Sequence, residues 1–381
     1  MDQAADRPSL IGRRAFLWSA ALATAAPIVT EASLAYARLS ALGADVPPDA
    51  VLINANENPL GPSKAACDAI AQIAPMGGRY DRWDDLDKFT QTFADMHGLK
   101  PDYVSVYAGS GEPLHYTVLA FTSPAHGLVV SDPSYEAPVA ATKYSGATAH
   151  RVPLTASYAH DVKAMVAADP AAGVLYICNP NNPTGTVTPR EDILWALANK
   201  PPGSILLVDE AYIHLSDEQS VVDMVAQDKD LIVLRTFSKV YGMAGIRCGV
   251  AMGRPDLLAK LQAYYQNPMP VTALVAARAS LADPDLVPTR KKWIADTRVA
   301  TINWLAANGY KVIGEPHSNC LMIDTGRDGH GVITALRGQK VYIGRIWPVW
   351  PKAVRVTVGT PDEMSKFRVA FKTVMDAPAT A

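Results

Sequence analysis

The chain has 381 residues, 49% of them hydrophobic and 19% charged, with a formal net charge of −2. That length and apolar share fit two domains, or one large domain with an appendage, around a substantial core. The near-neutral charge gives no surface for nucleic acid or an anionic membrane, and after the N-terminal region no run of about 20 uncharged apolar residues offers a membrane span.

The first element in the chain is a leader. Residues 2–14 are polar and end in Arg13-Arg14, residues 15–30 carry no charge, and Ala35-Tyr36-Ala37 supplies a small-x-small cleavage pattern. An uncharged core of roughly 15 residues has the length of a signal segment and falls short of a spanning helix. Arg13-Arg14 followed by Ala15-Phe16-Leu17 resembles a twin-arginine leader. That resemblance implies that residues 1–37 are a signal peptide and that an already folded protein is exported to the periplasm or beyond. It also implies no stable membrane anchoring once the signal is removed. The competing reading, an amphipathic helix packed on the body, conflicts with a segment that is apolar on all faces.

From about residue 100 to 255, short apolar runs recur and end in polar or glycine-rich clusters: GLVVSDPSY (127–135), GVLYICNPNNPTG (173–185), SILLVDEAY (204–212) and LIVLRTFSK (231–239). Four to six consecutive apolar residues without alternation predict strands buried on both faces of a mostly parallel sheet. The spacing leaves room for crossover helices near 161–168 and 191–199. In such sheets ligands gather at the carboxyl ends of the strands, which is where the unusual residues stand. Residues 270–310 then turn helical, with Gly309 as a stop. The strand-like pieces NCLMIDTG (319–326), KVYIGRIW (340–347) and AVRVTVGT (353–360) precede a final helix from about Pro361. This pattern predicts a smaller α+β domain reached through a long connecting helix. Cys67, Cys178, Cys248 and Cys320 are widely spaced, so no zinc or other metal site is expected.

Lys239 carries the chemistry. It follows a buried strand in TFSKVYGMAGIRCG (236–249), among hydroxyls and glycines, with Arg247 eight residues on. A lysine that is desolvated or near other cations has a lowered pKa and acts as a nucleophile. Thr236, Ser238 and Arg247 are the donors an anionic phosphate needs, and a phosphate beside a carbonyl-reactive lysine points to pyridoxal phosphate. The other strand ends agree. Asp209 suits a protonated pyridine nitrogen, Tyr212 and Asn182 suit the ring's phenolate oxygen, and Tyr135 suits its face. Gly109-Ser110-Gly111 before a helix offers backbone N–H groups to the phosphate.

With these motifs in order, the chain resembles the fold-type I, pyridoxal-phosphate-dependent aminotransferases of class I/II, and within them the histidinol-phosphate aminotransferase family. NANENPLGPS (54–63), Arg79-Tyr80, GSGE (109–112), DPSY, NPNNPTG, DEAY, the lysine motif and VRVTVGT stand in that family's order over about residues 50–375. The resemblance implies an α/β fold, with a three-layer large domain around a mostly parallel sheet and a smaller α+β domain. Its parts would be an N-terminal arm with part of the small domain (38–78), the cofactor-binding domain (79–280), and the connecting helix with the rest of the small domain (281–381). It implies an enzyme that moves an amino group between an amino acid and a 2-oxo acid, with Lys239 as the Schiff-base lysine and proton carrier.

The same resemblance places Asp209 on the pyridine nitrogen, Asn182 and Tyr212 on the phenolate, and Tyr135 on the ring. Ser110, Gly111, Thr236, Ser238 and Arg247 hold the phosphate. Tyr80 reaches the cofactor of a neighbouring subunit, which implies a homodimer with shared sites. Arg355 takes the substrate carboxylate, Arg345 lies near the substrate side chain, and Asn58 and Gly61 help close the site.

Two features depart from the family pattern. Asp81-Arg82-Trp83 replaces the usual proline after Arg79-Tyr80, and Trp347 and Trp350 follow Arg345 in GRIWPVWP. The tryptophans suit an aromatic or apolar substrate and equally suit packing. His214, after DEAY, is assigned no role. Decarboxylation, racemisation and elimination use the same fold and stand as the alternative. An exported enzyme also fits poorly with the cytoplasmic phosphorylated intermediate of histidine biosynthesis.

Overall fold

The computed structural model describes residues 46–81, 84–265 and 267–378. The leader with its paired arginines, and Arg82-Trp83, lie outside the described residues. The described chain starts with β1 (Val51–Ile53), α1 (Lys64–Ile73) and α2 (Asp85–Met96). Ser63 begins α1 by accepting a hydrogen bond from Ala66 N–H, a side-chain cap for an otherwise orphaned donor. There follow β2 (Val104–Tyr107), α3 (Gly111–Phe121), β3 (Leu128–Asp132), α4 (Ala137–Ser145), β4 (Ala149–Pro153) and α5 (Val162–Ala168). Next come β5 (Val174–Cys178), α6 (Arg190–Asn199), β6 (Ile205–Asp209), β7 (Leu231–Thr236), β8 (Gly249–Gly253) and α7 (Pro255–Gln262).

These strands form one sheet in the order β2-β8-β7-β6-β5-β3-β4. The four apolar runs are therefore the four adjacent strands β3, β5, β6 and β7, paired in parallel. Only β8 runs against its neighbours, antiparallel to both β2 and β7. The absence of alternation in the runs is explained by two cores. Val129, Leu175, Leu206, Val208 and Val233 point into one, and Leu128, Val174, Tyr176, Leu207 and Leu234 into the other. Both faces are covered, giving three layers. Because the four central strands are parallel, everything that follows their last residues collects at one edge of the sheet.

The chain continues through α8 (Val271–Leu281), which packs on α1 and α2, into α9 (Leu286–Ala307), a helix of 22 residues. Beyond it lie β9 (Lys311–Ile313), β10 (Cys320–Asp324), α10 (Gly329–Gly338), β11 (Val341–Ile343), β12 (Ala353–Thr357) and α11 (Pro361–Asp376). β12, β10 and β9 make an antiparallel sheet. β1 pairs in parallel with β11, which stitches the N-terminal segment to this C-terminal layer. A separate apolar cluster that includes Ile53, Leu321, Val356 and Phe367 holds these pieces together. Thr360 and Glu363 form a reciprocal capping box at the start of α11. Among the described residues no helix is long and apolar enough to cross a membrane, and the four cysteines are unpaired with one another.

Candidate active site

A cavity of about 370 Å³ opens at the shared edge of the central strands. It is lined by Ser110, Gly111, Tyr135, Asn182, Asp209, Tyr212, Thr236, Ser238, Lys239 and Arg247, together with Cys178. All ten expected cofactor residues of this chain's own pocket are thus brought together. The topology explains why: Tyr135 follows β3, Asn182 follows β5, Asp209 ends β6, and Ser238 and Lys239 follow β7.

Each side chain is fixed by a local device. Asp209 lies opposite Cys178 in the β5–β6 register, on the face shared with Tyr176. Its carboxylate accepts from Tyr176 O–H at 3.0 Å and from Ala211 N–H at 3.1 Å. Burial nevertheless pushes its pKa up to about 6, against the pull of Tyr176, Ala211 and Lys239. A cationic partner placed beside it would return it to the ionised form. Lys239 Nζ donates to the main-chain oxygen of Asn56 at 2.9 Å and sits 5.4 Å from the centre of the Tyr212 ring.

At the other end, Arg247 donates to Ala108 O and Ala244 O at 3.0 Å each. It reaches this position from a left-handed backbone (φ +69°). A Cβ on Gly109, whose φ is +91°, would stand 2.0 Å from Arg247 Nη2, so only glycine permits that approach. A Cβ on Gly249 would likewise stand 2.3 Å from Ser110 N. Two glycines therefore clear a cradle between the N-terminus of α3 and the Arg247 guanidinium. The backbone N–H groups at a helix start together with a guanidinium suit a phosphate. A lysine, a buried acid and this anion cradle in one cavity fit pyridoxal phosphate.

Arg355, behind the cavity lining, is fully buried in β12. It donates to Asn182 Oδ1 at 2.9 Å and to Asn54 O at 2.7 Å. The Trp347 indole is close to two guanidiniums, 5.6 Å from that of Arg355 and 4.5 Å from that of Arg345. Trp347 is anchored by its N–H to Ser134 O at 2.9 Å. Arg345 pairs with the carboxylate of Glu136, the residue after Tyr135. Trp350 packs edge-on against Tyr158.

The remaining expected residues lie elsewhere. Asn58 donates to Val240 O at 3.0 Å, and Gly61 lays its carbonyl against Gly242, so both touch the lysine loop and neither lines the cavity. Tyr80 is 80% exposed and does not line this chain's own cavity. His214 accepts from Arg235, which also pairs with buried Glu210. Burial and the Arg235 charge hold its pKa well below the usual range, so it is a neutral support beneath the site. Two participants escaped the sequence reading. Asn56 touches both Lys239 and Tyr212, and Glu136 neutralises Arg345. Neither carries a local signal: Asn56 is one of three asparagines in NANEN, and Glu136 resembles any acid at a helix start.

The family described as aminotransferase class I and II matches residues 48–371. A relative named histidinol-phosphate aminotransferase, from Symbiobacterium thermophilum, is 34% identical over 332 residues, covering 86% of this chain and 91% of its own. One named aromatic amino acid aminotransferase, from Cutibacterium acnes, is 32% identical over 327 residues, covering 84% and 91%. The solved structure of histidinol-phosphate aminotransferase from Sinorhizobium meliloti in complex with pyridoxal-5'-phosphate aligns with a TM-score of 0.77 at 25% identity, over 85% of this chain and 90% of that one.

Proposed function

The chain belongs to the class I and II aminotransferases and is a pyridoxal-phosphate-dependent transaminase; within that activity we propose the following roles and substrate class. When bound, the cofactor would supply a carbonyl able to carry the amino group and a protonated ring able to draw electrons from substrate Cα. Lys239 is its attachment point and the base that accepts the proton leaving Cα. Asp209 balances the ring nitrogen's charge, and Tyr212 and Asn182 serve the ring oxygen. Tyr135 covers the ring face. Ser110, Gly111, Thr236, Ser238 and Arg247 hold the phosphate. Arg355 receives the substrate carboxylate as a planar two-donor partner, and its bond to Asn182 ties that event to the cofactor side of the cavity.

The pairing of Arg345 with Glu136 carries the substrate reading. A donor with a single carboxylate needs Arg355 alone. A phosphate monoester brings close to two charges and would call on Arg345 as well, yet Arg345 is already neutralised by Glu136 and held close to the Trp347 ring. The geometry therefore favours an amino acid with an uncharged, flat side chain, an aromatic one, over a phosphorylated amino alcohol. Single-turnover half-reactions of the purified holoenzyme with phenylalanine and with histidinol phosphate test this. Faster conversion of phenylalanine is expected, and a preference for histidinol phosphate overturns it.

Two further parts of the proposal concern the whole protein. Arg13-Arg14 supports export of the folded enzyme by a twin-arginine route. Substituting both arginines with lysine should leave the protein in the cytoplasmic fraction. The exposed Tyr80 supports a homodimer in which it reaches the partner's cofactor. Light scattering should give twice the chain mass, and a monomer with full activity would overturn the shared-site assignment.

A further inference from the structure

Asn56 has no place in the roles above, yet it is fully buried and touches both Lys239 and Tyr212. Its backbone is left-handed, with φ +53°. Glycine meets that conformation without steric cost, and among other residues asparagine tolerates it best. A plain turn would be served by glycine, so the amide group has to justify its presence.

Every polar group of the residue is in use. Asn56 N–H donates to Thr357 Oγ1 at 3.0 Å, and Thr357 Oγ1 donates back to Asn56 Oδ1 at 3.1 Å. Nδ2 donates to the Tyr212 hydroxyl oxygen at 2.9 Å and to Cys320 Sγ at 3.3 Å. The main-chain oxygen accepts from Lys239 Nζ at 2.9 Å and from Asn319 Nδ2 at 3.0 Å. Thr357 ends β12, two residues after Arg355, while Cys320 begins β10. One asparagine therefore connects the lysine and the tyrosine of the large sheet to the strand that carries the carboxylate arginine.

We infer that Asn56 is a positioning residue for the transamination site: its side-chain amide orients and polarises Tyr212, and its carbonyl holds Lys239 Nζ. The inference rests on the assignment of Tyr212 to the cofactor's ring oxygen. With Nδ2–H donated into it, the Tyr212 oxygen is an acceptor on the Asn56 side, so its own hydrogen is directed elsewhere. Accepting that bond also makes Tyr212 a stronger donor. A donor aimed at an anionic oxygen lowers that oxygen's pKa, and weakening the donor raises it. The carbonyl contact is main-chain and survives substitution, so the two halves of the inference can be separated.

The test is a pH titration of the visible absorbance of purified holoenzyme for the wild type, N56G, N56D and Y212F. Glycine removes the amide and suits the backbone, so the N56G apoprotein should melt near the wild-type temperature. Its visible band should titrate about 0.5–1 unit higher than wild type, with kcat lowered about tenfold. N56D, which presents an acceptor to Tyr212, should shift the band further in the same direction. If Y212F shifts the band while N56G and N56D titrate like wild type, Asn56 does not polarise Tyr212 and the inference fails. If Y212F itself leaves the band unmoved, the Tyr212 assignment fails first. A large loss of N56G melting temperature with an unmoved band would make Asn56 a structural residue only and would also overturn the inference.

Discussion

The lysine wall of the cavity and the arginine wall that adjoins it at Asn182 hold charge by different means. On the lysine wall, Asp209, Lys239 and Arg247 are fixed mostly by main-chain partners: Ala211 N–H, Asn56 O, Ala108 O and Ala244 O. On the arginine wall, Arg345 and Arg355 share one indole; Arg345 pairs with the side chain of Glu136, and Arg355 with the side chain of Asn182 as well as the main-chain oxygen of Asn54. A wall built on backbone tolerates little variation and serves the constant part of the reaction, the cofactor. A wall that also leans on a side-chain pair such as Arg345 with Glu136 can be rewired by one substitution, which suits the variable part, the substrate.

Substitutions that attack each wall should separate in size and kind. The largest effect is expected for Lys239→Ala, with transamination down on the order of 10³-fold or more and the absorbance of lysine-bound cofactor gone. Retention of that band would remove Lys239 from its role.

Asp209→Asn should lower kcat roughly 10²-fold, and it also changes the pH response of the apoprotein. The folded-state pKa of Asp209, about 6, lies above its ordinary value of 3.8. Between those values the native state keeps a proton that the unfolded chain has released, so this group's contribution to stability falls as pH rises from about 4 to about 6. Melting temperatures of wild-type apoprotein should carry that slope and those of Asp209→Asn should lack it. Equal slopes would mean that the acid is not desolvated.

On the arginine wall, Arg355→Lys should raise KM for the amino acid by about 10- to 100-fold, because a charge-assisted two-donor pair becomes a point charge, with a smaller change in kcat. The smallest effect is expected for Glu136→Gln: about a tenfold gain in kcat/KM for histidinol phosphate relative to phenylalanine, with the phenylalanine reaction nearly unchanged. No change in that ratio would show that Arg345 does not sense the substrate's second charge.

The same contrast accounts for what the sequence made legible. Strands β3, β5, β6 and β7 stand out because burial on both faces leaves unbroken apolar runs, and parallel pairing carries their ends to one edge. The residues that depend on that edge were therefore readable as a set. The reversal of β8 was not, because GVAMG is short and apolar in either direction. Asn56 and Glu136 were missed for a different reason. Their partners lie up to 301 and 209 positions away, and no local pattern selects them from their neighbours. Asn58 and Gly61 were noticed in the same stretch as Asn56, but they brace the lysine loop from outside the cavity.

The reversed strand has one more consequence. Thr236 at the end of β7 pairs with Gly249 at the start of β8, so residues 237–248 leave the sheet and return to it at the same place. Lys239 and Arg247 belong to this single excursion, closed at its base by the sheet and closely approached by the carbonyl of Gly61 at Gly242. It behaves as a cassette. Its length sets the distance between the two charges, so one residue inserted or removed between Val240 and Ile246 changes the reach from carbonyl to phosphate while leaving both charged residues in place. Whole-loop exchange between homologous scaffolds should therefore succeed where piecemeal grafting of its residues fails.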